Sequence, residues 1–222
     1  MPSPVVELGH SQVTDTSSNT SRTINAPSNA ANNTVLLCCV LDGNGGGVAS
    51  SGFTAIVDNV DIISTDNTAV LAVFHKDEGA SPPSTYTITN SSGERMVALA
   101  IPISGATGVD SVTDTDEGDS GTASCPSVTP NEDGTLALAI VGTDGTSLSH
   151  GTPTGWTLID QIEQSSAGTL SVFWKEVGVA VATGAASVSL GSTQEWVGAT
   201  IVLLGDGTVG GGVAPLPYLM QV

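Results

Sequence analysis

The chain has 222 residues and a mass of 22.1 kDa, with four Lys or Arg against 22 Asp or Glu and a formal net charge of −18. A surface so poor in cations repels phosphate backbones and anionic lipid, which excludes nucleic acid and membrane surfaces as partners. The hydrophobic content of 39% nonetheless marks a core-forming chain, sized for one large or two small domains, and not an acidic disordered polymer.

Taken in order, the elements are strands. Helix signals are almost absent, and short apolar runs are divided by Gly, Ser, Thr and Asn. No basic leader and no apolar run of spanning length is visible, so the chain reads as made in a cytoplasm and not exported by an N-terminal leader. Residues 1–33 form a Ser/Thr/Asn-rich segment with strands near Val5 to Leu8 and Arg22 to Ile24. A first β repeat at 34–107 has strands at 34–41, 53–58, 68–76, 84–89 and 94–103. An acidic connector at 108–134 carries Asp110 to Asp119, a further strand at Ser124 to Val128, and the turn Asn131-Glu132-Asp133-Gly134. A second β repeat at 135–206 has strands at 135–142, 156–163, 168–176, 185–190 and 195–204. Residues 207–222 form a Gly-rich linker and an apolar arm.

The runs VLLCCVL, LALAIV and ATIVLL do not alternate, which indicates strands covered on both faces. The segments ending in Lys76 and Lys175 alternate better, with Val73 and His75, or Val172 and Trp174, on one face, and read as half-exposed strands. The fold class that follows is all-β: an antiparallel β-sandwich, or two stacked ones.

Four landmarks recur in one order, each displaced by about 100 residues. TVLLCCVL from Thr34 answers to TLALAIV from Thr135. Gly52-Phe53-Thr54 answers to Gly155-Trp156-Thr157. Ala72 to Lys76 answers to Ser171 to Lys175. Met96 to Ile101 answers to Trp196 to Ile201. The chain therefore reads as two tandem, sequence-related halves, with its two lysines at matching places.

Chemistry is harder to find. Cys38, Cys39 and Cys125 give neither a disulfide framework nor metal spacing, and read as small buried hydrophobes made in a reducing compartment. His10, His75 and His150 show no metal or triad spacing. Asp110, Asp114, Asp116, Glu117 and Asp119 are the best calcium candidates. They lack the third acid and the distal Glu of a calcium loop, so a solvated connector is the plainer reading. Asp58, Asp61 and Asp66 read as ordinary loop polarity. No catalytic, cofactor or metal residues are assigned, and the chain is not read as an enzyme.

Trp156 and Trp196 answer to Phe53 and Met96, and size kept across the repeat points to packing. Trp174 answers to His75, which makes it the aromatic suited to ligand stacking. After the glycine linker come Leu216, Tyr218, Leu219, Met220 and Val222, held extended by Pro215 and Pro217. So much apolar surface needs a cover. It packs on its own domain or, as the reach of a glycine hinge favours, on a neighbouring subunit.

The elements NNTVLLCCVL, SGFTAIVD, VFHK and ERMVALAI, followed by DGTLALAIVG, TGWTLIDQ, VFWK and QEWVGATIVLL, resemble a duplicated β-sandwich family common in tailed phages and prophages. The resemblance spans about residues 25–206 and departs in the first half, where Phe53 and Met96 replace tryptophans. It implies a jelly-roll-like virion or surface module with no catalytic residues to carry over. The expected function is a capsid decoration or cement protein located in the virion. Its expected partners are copies of itself and other virion proteins such as the major capsid protein. The alternative is a carbohydrate- or receptor-binding module of a tail fibre or cell surface, using Trp174 and the loops at 43–47 and 143–151.

Overall fold

The computed structural model describes residues 3–15, 17–42, 46–62, 69–111, 113–144, 149–164 and 168–205. Within them every regular element is a strand. The first group is β1 (Val5–Val6), β2 (Ser11–Asp15), β3 (Ser21–Asn25), β4 (Thr34–Asp42), β5 (Val48–Ser50), β6 (Thr54–Ile62), β7 (Ala69–Asp77), β8 (Thr85–Asn90) and β9 (Met96–Ser104). The second is β10 (Ala106–Val109), β11 (Asp114–Cys125), β12 (Thr135–Thr143), β13 (Thr157–Gln164), β14 (Gly168–Val177) and β15 (Ala186–Gly205).

All pairings are antiparallel. One six-stranded sheet has the order β1-β9-β4-β7-β6, with β2 also on β9. A second runs β10-β15-β12-β14-β13, with β11 also on β15. A small third sheet is β3-β8-β5. The all-β antiparallel class read from the sequence holds, and the sheets stack as in a sandwich.

Side-chain alternation explains the stacking. Leu36, Cys38, Leu99 and Ile101 point to one face of the first large sheet and meet Leu138, Ile140, Ile201 and Leu203 of the second. The alternate set, Leu37, Cys39, Phe74 and Ala98, points the other way and is covered by Ile24, Tyr86 and Ile88 of the small sheet. Ala139, Val141 and Phe173 likewise leave the second large sheet on its far side. They are covered by Ala123, Cys125, Val188 and Leu190 from the ends of β11 and β15. The result is four layers, with β4, β9, β12 and the second half of β15 buried on both faces. This is why those runs are apolar without a period of two. Each fully buried Leu or Ile contributes roughly 1.5–3 kcal/mol before chain entropy is counted.

The structure shifts one landmark by a residue. Leu37 lies opposite Phe74 and Ala100, whereas Ala139 lies opposite Phe173 and Thr200. By pairing position Leu37 corresponds to Ala139, and Thr34 to Leu136 rather than Thr135. The match made from the first residue of each run would have set Val35, on an outer face, against Leu136, between the large sheets. A slip of one residue exchanges the faces of a strand, and only the pairing fixes it.

The segments at 1–33 and 108–134 supply strands of the same sheets. β2 and β11 were not anticipated at 11–15 and 114–123, because both are polar edge strands with no apolar alternation. The open edges carry acids: Asp58 and Asp61 on β6, Asp160 and Glu163 on β13, and Asp114, Asp116, Glu117 and Asp119 on β11. Like charges on exposed edges oppose edge-to-edge pairing, which gives part of the negative charge a structural use.

The two halves turn the corner between layers differently. β15 passes unbroken from the outer layer into the large sheet, with Gly191 at φ 75° and a register shift between Ser120 and Thr122 of β11 at the bend. In the first half the chain breaks between β8 and β9, and Arg22 closes the corner. Its guanidinium donates to the carbonyls of Asn19 (2.7 Å), Ser17 (2.9 Å) and Glu94, and pairs with Asp15 at 2.9 Å. Arg22→Ala takes one donor from each of these acceptors and is expected to lower stability by about 2 kcal/mol, read from chemical denaturation. Arg22→Lys should recover only part of this, because an ammonium lacks the planar fork.

Candidate functional site

The Gly-aromatic-Thr landmarks are tight turns that open β6 and β13. Gly52 and Gly155 stand at φ 80° and 79°, a left-handed conformation that costs side-chain-bearing residues, and each positions an aromatic ring inward. The Phe53 N–H donates to the Ser50 carbonyl (3.2 Å), and the Trp156 N–H donates to the Pro153 carbonyl (3.1 Å). The two lysines then cover these rings. Lys76 Nζ lies 5.9 Å from the Phe53 centroid and 5.5 Å from that of Tyr86, which meets Phe53 edge-on, while Lys175 Nζ lies 5.1 Å from that of Trp156. Lys76 also pairs with Glu78 at 2.7 Å, and Lys175 donates to the Thr183 carbonyl. Trp196 is buried, donates Nε1–H to Ser120 Oγ (3.1 Å), and packs on Gly118, where a Cβ would come within 2.7 Å of its ring. Phe53, Trp156 and Trp196 thus serve packing.

Trp174 differs. It lies opposite Thr157 and Leu138, half buried at the rim of the core between the large sheets. With Gly155, Thr157, Lys175 and Glu176 it lines a shallow, open depression of about 480 Å³. The strand end continues into a loop that the sequence reading passed over. Gly178, Val179, Ala180, Val181 and Ala182 are all exposed, and few other large apolar groups are exposed among the described residues. The signal that could have found it is a comparison: the matching connection in the first sheet reads Glu78-Gly79-Ala80-Ser81-Pro82-Pro83.

The histidines are dispersed. His10 pairs with Asp160 of β13 at 2.8 Å, both partly exposed. His75 lies opposite Leu36 and Thr54. His150 is only 5% exposed and sits over the outer face of the second large sheet. One ring nitrogen is 2.7 Å from Ser171 Oγ, the other is 3.5 Å from Thr143 Oγ1, and its backbone N–H donates to Gln161 Oε1 at 2.9 Å. Burial lowers its pKa from 6.5 to about 4. At neutral pH it is an uncharged hydrogen-bonding plug rather than a cation. Ser171 is itself fully buried, which leaves this Ser–His pair without access to a substrate.

The acidic candidates do not converge. Asp114 and Asp116 share one face of β11 and Glu117 and Asp119 the other, while Asp110 is buried and accepts from the Asn131 backbone N–H (2.8 Å) and from its side-chain amide (2.5 Å). Among the described residues no group of three or more His, Cys, Asp or Glu is placed to hold a metal ion. Asp42 is the carboxyl shifted upward, whereas the Ser17 backbone N–H holds Asp15 below its ordinary value. Burial first, then Asp144 and Glu94, push the Asp42 pKa up to about 6 against the opposing pull of Arg95. Cys38 and Cys125 are buried thiols pushed up to about 12 by desolvation, and Cys39 is raised in the same way, so none is a nucleophile at neutral pH.

Asp66, most of the loop at 43–47 and residues 145–148 lie outside the described residues, as do Leu216, Tyr218, Leu219, Met220 and Val222 of the arm. Among the described residues no helix is long and apolar enough to cross a membrane. No family model, curated protein or solved structure matches the chain.

Proposed function

We propose that the protein is a structural component of a virus particle, a decoration or cement protein. In this reading it is built from two tandem, sequence-related, jelly-roll-like halves and joined to its neighbours through residues 213–222. The duplication is supported by the shared pairing order of the two large sheets, by the paired turns at Gly52 and Gly155, and by the lysine-over-aromatic contacts in both halves. The residues these halves have in common are spent on packing, which suits a rigid block more than a reacting one.

The observation that carries the reading is the segment at 207–222. It has no charged side chain in a chain of net charge −18, and its apolar residues follow a run of glycines. Acidic copies repel one another, so a neutral apolar segment is where they can meet. Burial of its large side chains contributes about 25 cal/mol per Å² before ordering costs, a few kcal/mol for each arm. A chain ending at Gly210 is expected to lose self-association or capsid attachment while keeping its thermal midpoint. Unchanged assembly by the shortened chain would remove the arm from this account.

A second reading rests on the depression beside Trp174. A half-buried indole flanked by Thr157 and Glu176 offers a stacking face and hydrogen-bonding groups of the kind that hold a sugar ring. A glycan array with Trp174→Ala as control decides it. Binding that the substitution abolishes supports a carbohydrate module, and an array without signal sinks it.

A further inference from the structure

We propose that the loop at residues 178–182, together with the adjoining Trp174 depression, receives the apolar segment 213–222 of a second copy of this chain. The inference rests on the self-association reading above and names its receiving side. Val179 and Val181 are 57% and 54% exposed at the tip of a loop that reads Gly-Val-Ala-Val-Ala. The fold does not need them. The same connection between β7 and β8 closes with Glu78 to Pro83, where Glu78 pairs with Lys76 and no large apolar side chain is offered. A run of exposed apolar residues that the topology can do without points to a contact.

The loop is also held in place. The Ala180 N–H donates to Asp133 Oδ1 (2.7 Å), the Val181 N–H to the Val179 carbonyl (2.7 Å), and the Gly134 N–H to the Gly178 carbonyl (3.2 Å). Lys175 ties Thr183 back onto the strand end that carries Trp174. A surface ordered in advance loses little freedom when it is covered.

The path of the chain supplies the occupant. Thr135 of β12 lies opposite Val177 of β14, and Leu136 lies opposite Leu203 of β15. The chain beyond Gly205 therefore leaves at the end of the sheet where this loop projects. β14 and β15 flank β12, so their ends are about 10 Å apart. Residues 206–212 can extend over roughly 24 Å, more than a contact with the loop of the same copy requires and enough to cross to another. The side chains of loop 178–182 and of the segment carry no charge, so two strongly acidic copies meet there with less repulsion than elsewhere, with Glu176 and Asp133 at the border.

The test is sedimentation equilibrium of the full chain over a wide concentration range. Wild type is expected to associate. Val179→Ser with Val181→Ser, and separately Leu216→Ser with Leu219→Ser, should each weaken association about tenfold or more. All four together should do no more than either pair, because both pairs remove one contact. The thermal midpoint of the loop variant should match wild type. If the arm variant dissociates and the loop variant does not, the receiving surface lies elsewhere while self-association through the arm stands. If neither variant weakens an association that wild type shows, the arm is not the contact and both readings fail. A chain that is monomeric at every concentration removes the second copy as occupant.

Discussion

Gly198→Ala is expected to lower the thermal midpoint by about 10 °C, corresponding to about 3 kcal/mol or more for a chain of this size. Gly198 sits in the large-sheet part of β15, opposite Asp116 and Val141, beneath the outer end of β11 at Ser124 and Cys125. A Cβ there would lie 2.2 Å from the Ser124 carbonyl oxygen, 2.8 Å from its carbon and 3.2 Å from the Cys125 nitrogen. These are backbone atoms, so no rotamer change makes room. This end of β11 is also fastened on both sides, by the Thr200 hydroxyl donating to the Pro126 carbonyl (2.7 Å) and by the pairing of Cys125 with Ala186. The corresponding place in β9 is Ala98, so the second half has the closer approach of layers. Gly108→Ala is the control, since a Cβ there meets nothing within 4 Å, and its stability should stay within about 0.5 kcal/mol of wild type. Equal behaviour of the two variants would show that β11 is free to lift.

Acid should reveal His150. Its folded pKa of about 4 lies below the ordinary 6.5, so the unfolded chain binds this proton first. The stabilisation is complete above pH 6.5 and is lost as the pH falls toward 4, where the deficit reaches about 3 kcal/mol. Asp42 works in the opposite sense. Its folded pKa of about 6 is raised above 3.8, so its protonation favours the folded state over part of the same range and masks the loss in wild type. The clean measurement is the stability difference between wild type and His150→Gln at several pH values, in which Asp42 cancels. Wild type should fall progressively behind the variant between pH 6.5 and 4. A pH-independent difference would mean that water reaches the ring.

How far the sequence could be read depended on how each strand is covered. VLLCCVL and LALAIV announced themselves because both of their faces are buried. SQVTD and DTDEGDSGT did not, since edge strands with acids on exposed positions have the composition of loops. A matched pair of first threonines, Thr34 and Thr135, suggested a register that hydrogen bonding between strands corrected by one residue. At the candidate site, the exchange of His75 for Trp174 was legible as a half-exposed position. The loop at 178–182 was not, because Gly-Val-Ala-Val-Ala between two strands resembles strand ends until its exposure is known. His150 sat in a polar stretch with the look of a surface residue. Its burial follows from Ser171 and Thr143, hydroxyl residues within strands otherwise read as hydrocarbon.

The unbroken course of β15 has a mechanical consequence. A pull applied at residue 205 runs along one continuous strand and loads its rungs to β12 and β11 together, in shear. In the first half the break between β8 and β9 leaves the small sheet hinged on Arg22, so the same force would peel it rung by rung. The half that bears the outgoing segment is the one built to take tension.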